Sequence, residues 1–172
     1  DDLGSRGLGD VYKRQAIEYT LEEISYSRKE DRRIMESVLK NWLVDPKALN
    51  FFSPDSKYPF KFKKWVQLHY SKNNINTTTI VLKHNKWVIG HVSLKTKKEK
   101  TELLHLFVDS KYRRKGLGLK LLKETESYII DSKIESITAK VQKKNIVLKK
   151  VLERSGYRYK NANQNLMIKK LE

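Results

Sequence analysis

The spacing of apolar positions predicts a strand and then a helix at the start of the patterned part of the chain. Ile17–Ile24 mixes residues that favour β-structure, which predicts a first strand. Ser27 and Glu30 have the spacing of a capping box, in which each side chain bonds to the backbone of the other. Apolar residues then recur at helical spacing as far as Trp42, so we expect a helix that opens at Ser27.

A stretch rich in aromatic residues follows this helix. Asp45-Pro46 and Ser53-Pro54 are signals for a helix start or a turn. We interpret Pro59–Tyr70 as a second short helix.

The period then changes from helical to alternating. Thr77–Lys83 and Trp87–Leu94 are rich in β-formers and are joined by His84-Asn85-Lys86, which predicts a hairpin. Lys97–Lys100 predicts the next turn, and Glu102–Val108 a third strand of the same meander.

Helices and strands alternate in the last third of the chain. The predicted elements are a helix over Leu117–Ser132, a strand over Ile134–Val141, a helix over Ile146–Ser155 that Gly156 ends, and strands at about Tyr157–Lys160 and Leu166–Leu171. A meander followed by β-α-β-α-β predicts an α/β (mixed α+β) fold, in which a central mixed sheet carries helices on both faces.

Length and composition are those of one ordinary globular domain. The chain has 172 residues, of which 38% are hydrophobic and 33% are charged. No apolar run approaches the ~20 residues that cross a bilayer, so we expect no membrane partner and a cytoplasmic location. The sequence has no cysteine, which excludes a disulfide, a thiolate metal site and a cysteine nucleophile, and we expect no metal.

The formal net charge of +17 raises the question of nucleic-acid binding. Lysine greatly outnumbers arginine, and the basic residues are spread along the whole chain instead of forming one block. The abundance of Lys, Asn and Ile is what an AT-rich genome produces without selection for binding. We therefore expect a generally basic surface, and a nucleic-acid partner is disfavoured.

The first residues are set apart from this pattern. Ser5–Gln15, with the sequence SRGLGDVYKRQ, looks like the in-frame translation of a sequencing-library adapter. This predicts a bacterial, metagenomic reading frame in which residues 1–15 are non-native and the domain spans 16–172. Arg6–Gly9 imitates a glycine-rich phosphate loop but has no strand before it.

A second glycine-rich loop does follow a predicted strand. Arg113-Arg-Lys-Gly-Leu-Gly118 lies between the strand that ends at Val108 and the helix that begins at Leu117. Glycines allow a ligand to approach the backbone, and the exposed N–H groups at a helix N-terminus suit a phosphate anion. The alternative interpretation is that this segment is only a solvated basic turn before a helix. Nucleotide motifs fail here, because no Gly-Lys-Ser/Thr is present and Leu121 replaces a third glycine.

The loop and its surroundings resemble the GNAT acetyltransferase family. Arg-x-x-Gly-x-Gly, preceded by Leu106-Phe-Val-Asp109 and followed by Leu121-Leu122, is similar to the acetyl-CoA signature of that family. Asn145-x₂-Leu148-x₃-Leu152-Glu-Arg-Ser-Gly156-Tyr157 is similar to its second signature. The two motifs cover about residues 102–160, and the order of elements agrees from about residue 17 onward.

The resemblance implies a splayed sheet of about six to seven strands and a binding site for acetyl-CoA. Pantetheine would lie where the strands Glu102–Val108 and Ile134–Val141 part, bonded to backbone near Leu106, Phe107 and Val108. The pyrophosphate would rest on the loop, on Arg113, Arg114, Lys115, Gly116, Leu117 and Gly118. Asn145 would contact the pantetheine arm, but it also stands where a helix N-cap is expected, and both roles stay open.

The resemblance also implies direct transfer of an acetyl group from the thioester to an amine. A backbone N–H near Val108 would stabilise the thioester oxygen. Glu102 is the candidate base, at the position where the histone acetyltransferase branch keeps its own, although a charge at an exposed strand start is the alternative. His105 is a second choice, because alternation along a strand places it on the face opposite to Glu102.

Two positions depart from the family pattern. Leu152 stands where many members carry a tyrosine that protonates the departing thiolate, and Lys140 stands where another branch has a glutamate base. Tyr157 is expected in the core. The acceptor amine is not specified, and a small amine or a protein amino group fits better than a cationic aminoglycoside. The alternative function is a catalytically weak module that senses acyl-CoA or binds RNA or ribosomes, and a homodimer stays open.

Overall fold

The computed structural model describes residues 18–71, 76–129, 133–161 and 165–171. The adapter-like segment and the start of the strand predicted from Ile17 lie outside these residues. Within them, seven strands form one sheet in the order β1-β2-β3-β4-β5-β7-β6. The strands are β1 (Tyr19–Ile24), β2 (Thr77–His84), β3 (Trp87–Lys97), β4 (Lys100–Val108), β5 (Ser136–Lys140), β6 (Arg158–Asn161) and β7 (Leu166–Lys170). The helices among the described residues are α1 (Lys29–Trp42), α2 (Pro46–Phe52), α3 (Phe62–His69), α4 (Leu117–Ser127) and α5 (Ile146–Arg154).

The sheet is mixed, as the order of elements predicts. Strands β1 to β4 form an antiparallel meander, β4 and β5 are parallel, and β7 pairs antiparallel with both β5 and β6. The single parallel pair is the one that α4 connects, because a parallel neighbour requires a crossover.

The sheet is splayed between β4 and β5. Their pairing runs from Lys100 opposite Ser136 to Leu103 opposite Ala139, whereas β4 continues to Val108. Beyond Leu103, no described strand pairs with the edge of β4 that faced β5. The wedge that the resemblance implies is therefore present.

Two separate cores cover the two faces of the sheet. Alternation along β2 sends Ile80 and Leu82 into one core and Val81 into the other. Helices α4 and α5 complete the first core, which we call the α4–α5 face. Helices α1, α2 and α3 complete the second, the α1–α3 face, and this core contains most of the buried aromatic residues.

The start of α2 agrees with the sequence prediction, whereas the start of α1 does not. Asp45 caps α2, because its side chain accepts from the backbone N–H of Ala48 at 2.8 Å. The capping box at Ser27 and Glu30 does not form. Helix α1 begins one residue later, after Arg28, without a side-chain cap.

Ser25 satisfies one of the two groups that a capping box would have bonded, because the N–H of Ser27 donates to Oγ of Ser25 at 3.2 Å. Asp31 accepts instead from the backbone N–H of Ser25 at 3.0 Å, and Glu30 pairs with Arg33 one turn along the helix. A carboxylate in the first turn, that of Asp31, thus bonds the chain that enters α1, in the absence of the capping box.

Several elements are shorter than predicted. Helix α3 begins at Phe62, three residues after Pro59, and β5 spans only Ser136–Lys140. Helix α4 ends at Ser127, and residues 130–132 of the predicted helix lie outside the described residues.

Candidate active site

A β-bulge interrupts β4 in the middle of the sheet. Strand β3 pairs with β4 with His91 opposite Phe107 but Ser93 opposite Leu104, so β4 has one extra residue. His105 lies at the irregularity with φ of 54°, in the left-handed region that few non-glycine residues adopt.

The bulge reverses the alternation that the sequence suggests. Leu103 and Leu106 are three residues apart, yet both pack into the core of the α4–α5 face. Glu102 and His105 consequently both face α1–α3. The expectation that His105 lies opposite to Glu102 is wrong, because alternation holds only for an uninterrupted strand.

One cavity of about 220 Å³ joins the α1–α3 face to the splay. On the side of α2 and α3 its walls include Phe52, Asp55 and His69. On the far side its walls come from β5 and α5. Glu102, His105, Leu104 and Leu106 of β4 lie between the two sides, together with Lys95, Ala139, Lys140 and Leu148. The cavity thus connects the predicted base with the predicted position of the thioester.

Glu102 lies beside groups of both charges. Lys95 is its direct cross-strand neighbour on β3, and Lys140 at the end of β5 lines the same cavity. Burial is the main cause that lowers the pKa of His69. The nearby Asp55 raises this pKa, and Lys95 lowers it further. A carboxylate next to an open volume is arranged to accept a proton from a ligand there.

His105 differs from Glu102 because both ring nitrogens have neighbours within the protein. Its Nδ1 lies 2.7 Å from the Tyr70 hydroxyl, and its Nε2 lies 3.4 Å from Oγ of Ser53. Burial, and then the nearby His91 and His69, lower the pKa of His105 well below its ordinary value. The ring is therefore neutral near pH 7 and is held in a fixed orientation.

The glycine-rich loop forms a turn directly before α4. Gly116 is the N-cap residue of α4 with φ of 73°, and Arg114 also has a positive φ, of 64°. Such turns direct successive N–H groups to one side, and the positive end of the helix dipole adds to the attraction for an anion. The geometry fits a bound pyrophosphate.

The two glycines of the loop have different surroundings. A Cβ on Gly116 would meet no described heavy atom within 4 Å, so open space lies there. A Cβ on Gly118 would point at Val151 of α5 and lie 3.6 Å from it, an ordinary contact. Only Gly116 therefore has the geometry of a glycine needed for ligand approach.

The basic side chains of the loop also differ. The Nε–H of Arg113 donates to the carbonyl of Val108 at 2.9 Å, and its guanidinium lies 5.0 Å from the centre of the Phe107 ring. Lys115 lies over the ring of Tyr112. Arg113 thus ties the loop to the end of β4.

The other predicted binding residues divide between the two faces. Leu117 is buried in the α4–α5 core, where Leu106 and Val108 also pack, and Phe107 packs against the α1–α3 core. Asn145 caps α5, because its side chain accepts from the N–H of Leu148 at 3.2 Å.

The position without a family tyrosine is part of the core. Leu152 is fully buried on the α4–α5 face, while Leu148, one turn earlier, lines the cavity. Tyr157 is in the core as expected, and its hydroxyl donates to the buried Glu126 at 3.0 Å.

Sequence reasoning missed the residues that brace the site. Nε1 of Trp42 donates to Asp109 at 3.1 Å, and the Trp42 ring packs on Phe107, so the end of α1 supports the turn before the glycine-rich loop. Tyr26 and His91 form another buried pair, 2.9 Å apart. Residues 65 positions apart give no local pattern, so only the fold reveals the pair.

The described residues contain no group of three or more His, Cys, Asp or Glu that is arranged to hold a metal ion. Among the same residues, no helix has both the length and the apolar character that crossing a membrane requires.

Solved structures share this fold. The PaiA N-acetyltransferase from Thermoplasma acidophilum, solved with coenzyme A, has a TM-score of 0.67 at 19% identity, covering 89% of this chain and 99% of its own. The GNAT domain of S. lividans PAT has a TM-score of 0.72 at 15% identity, and the match covers 88% of this chain and 89% of that domain. The ribosomal-protein-S18-alanine N-acetyltransferase from Escherichia coli has a TM-score of 0.59 at 15% identity, and the match covers 90% of this chain and 93% of that protein.

Sequence comparison supplies the family. No curated protein matches the chain closely enough to count as a relative. The family model described as Acetyltransferase (GNAT) family matches residues 36–157, which is more than half of the chain. This chain is a member of the GNAT acetyltransferase family.

Proposed function

We propose that this protein is an N-acetyltransferase that moves an acetyl group from acetyl-CoA to a primary amine by direct attack. The observation that carries the proposal is the cavity that runs from Glu102 through the splay of β4 and β5. A single connected volume allows an amine on the α1–α3 face to reach a thioester in the wedge.

An acyl-CoA fits the residues that surround the wedge. The pyrophosphate would rest on the turn at Gly116, where the backbone leaves open space before α4. Pantetheine would follow the edge of β4 that has no strand partner, and its thioester would lie by the bulge. The structure of the PaiA N-acetyltransferase contains coenzyme A, which supports this choice of co-substrate.

The proposed reaction needs one base and one hydrogen-bond donor. Glu102 accepts a proton from the ammonium or the attacking amine, and the nitrogen forms a bond to the thioester carbon. A backbone N–H on the open edge of β4 stabilises the oxyanion. The C–S bond then breaks, the nitrogen loses its surplus proton to the departing CoA thiolate or to solvent, and an amide and CoA remain. The absence of an acid at Leu152 is tolerated because a thiol has a pKa of about 8.5 and leaves readily as a thiolate.

A panel of amines tests the proposal. We expect release of free CoA thiol, dependent on both acetyl-CoA and amine, with small primary amines and with peptides that have a free amino group. Isothermal calorimetry on the same protein gives the affinity for acetyl-CoA. Tight binding without turnover across the panel would contradict the enzyme and favour the alternative, a module that senses acyl-CoA or binds RNA or ribosomes.

A further inference from the structure

At the bulge of β4, a histidine side chain binds a backbone carbonyl group. Nδ1 of His91 lies 2.8 Å from the carbonyl oxygen of His105. On its other side, Nε2 of His91 lies 2.9 Å from the hydroxyl of Tyr26. His91 and Tyr26 are both buried in the α1–α3 face.

This geometry fixes every proton in the chain of contacts. A carbonyl oxygen only accepts, so Nδ1 of His91 must carry the hydrogen and donate it to His105. Burial lowers the pKa of His91 to about 4, so the ring is neutral near pH 7 and Nε2 is an acceptor. The Tyr26 hydroxyl therefore donates to Nε2, and burial raises the pKa of Tyr26, which keeps that proton in place.

The same peptide group contains the N–H of Leu106. A trans peptide holds its C=O and N–H on opposite sides of the chain. Because the carbonyl of His105 points to the His91 side chain on the α1–α3 face, the N–H of Leu106 points the opposite way, away from that ring. Leu106 also lines the cavity that reaches the splay between β4 and β5.

We propose that His91, oriented by Tyr26, is a positioning residue that aims the N–H of Leu106 at the thioester oxygen of the bound acyl-CoA. This inference rests on the proposed function, since it requires an acyl-CoA in the wedge. His105 is in a left-handed conformation that a chain adopts only when its surroundings fix it, and the bond from His91 supplies one such constraint. A correctly aimed oxyanion donor is worth about 10²–10³-fold in kcat.

Three variants separate positioning from packing. His91→Phe keeps a ring but removes the donor, His91→Asn places an amide N–H near the position of Nδ1, and His91→Gln places one nearer to Nε2. We expect His91→Phe and His91→Gln to lower kcat by about 10²-fold with little change in acetyl-CoA affinity, and His91→Asn to recover most of the loss. A role in packing alone would give the opposite order, because Gln is closer to His in volume than Asn is.

A spectroscopic measurement requires no acceptor amine. The infrared stretch of acetyl-CoA labelled with ¹³C at the thioester carbonyl reports the hydrogen bond to its oxygen. We expect the stretch of the bound compound to be lower than in water-free solvent, to rise in His91→Phe and to fall again in His91→Asn. A stretch that is the same in the parent, His91→Phe and His91→Gln, with acetyl-CoA bound to all three, would overturn the proposal.

Tyr26→Phe covers the case in which His91→Phe does not fold. It removes the hydroxyl that sets the tautomer of His91 and retains the ring, so we expect a smaller loss of kcat, about 10-fold, and a partial rise of the stretch. No change in either quantity would overturn the role of the pair. If the parent turns over no amine, the proposed function fails, whereas the carbonyl stretch still decides whether His91 positions the peptide.

Discussion

The two faces of the sheet are built on different principles. The core of the α4–α5 face is made mostly of aliphatic side chains such as Ile80, Leu121 and Leu152, and its buried carboxylate, Glu126, accepts from Ser155 and Tyr157. The α1–α3 face buries His91 and His105 among aromatic rings and hydroxyl groups. The α4–α5 face is an ordinary core beside the predicted binding site for CoA. The α1–α3 face adjoins the predicted binding site for the acceptor amine.

The buried polar groups of the α1–α3 face form connected chains. Tyr70 lies between Nδ1 of His105 and Oγ of Ser93, at 2.7 and 2.6 Å, and Ser93 continues to Thr79 at 2.8 Å. Such networks stabilise one arrangement strongly when every member is bonded and are costly when one is not. The comparison teaches that this face gives up apolar packing to hold the bulge of β4 and the cavity beside it in one geometry.

The largest effect that we expect is a loss of stability in mild acid that comes from the buried histidines of this face. His91 and His105 are neutral in the folded protein because burial lowers the pKa of each, that of His91 to about 4. Unfolded histidine has a pKa of about 6.5, so below that pH the unfolded state binds more protons. Stability is therefore complete above about pH 6.5 and is lost as the pH falls toward 4.

The expected size is about 1.4 kcal/mol per pH unit for each histidine, or about 3 kcal/mol by pH 4 for His91. Urea unfolding at several pH values between 7.5 and 5 measures it, in a range where most carboxylates stay charged. In His91→Asn, the slope of the free energy of unfolding against pH should correspond to about one proton fewer taken up on unfolding. A free energy of unfolding that does not change between pH 7 and 5 would contradict the assignment.

The next effect concerns catalysis at the junction of the two faces. If Glu102 is the base, Glu102→Gln lowers kcat by about 10²-fold or more at neutral pH and changes acetyl-CoA binding less. The loss should shrink at high pH, where the amine is already neutral. Glu99→Gln, an exposed glutamate in the turn before β4, is the matched control. A pH–rate profile that coincides with that of the parent would refute the role.

The sequence predicted the α4–α5 face better than the α1–α3 face, for a physical reason. The apolar positions of α4 and α5 recur at helical spacing, and the loop before α4 has glycines at a strand–helix junction, so local patterns were sufficient. The bulge at His105 has no local signal, since it depends on how β3 and β4 pair. The prediction that Glu102 and His105 lie on opposite faces of the sheet was therefore wrong.

Position 118 gives a finer example of the same limit. The sequence treats Gly116 and Gly118 alike, but only one has a positive φ and open space beside it. We expect Gly116→Ala to destabilise the protein by about 1 kcal/mol, because a side chain strains the left-handed conformation, and to weaken CoA binding. Gly118→Ala should stabilise α4 by up to about 1 kcal/mol and affect binding less.

Thermal unfolding and calorimetry with CoA compare these two variants directly. Equal losses of CoA affinity would mean that the ligand contacts both positions in the same way. Equal changes in stability would contradict the difference in backbone conformation between Gly116 and Gly118.

The smallest expected effect separates two roles of Asn145 on the α4–α5 face. Its side chain caps α5 by accepting from the N–H of Leu148. Asn145→Ala should therefore lose about 1 kcal/mol of stability, whereas Asn145→Ser keeps a capping oxygen and should lose only a few tenths. If Asn145 also contacts pantetheine, both variants bind CoA more weakly, because serine does not reach as far. Stability and CoA affinity measured on the same two samples decide the matter. Parallel losses of both quantities would leave the cap as the single role, and a weaker affinity in a fully stable Asn145→Ser would add the ligand contact.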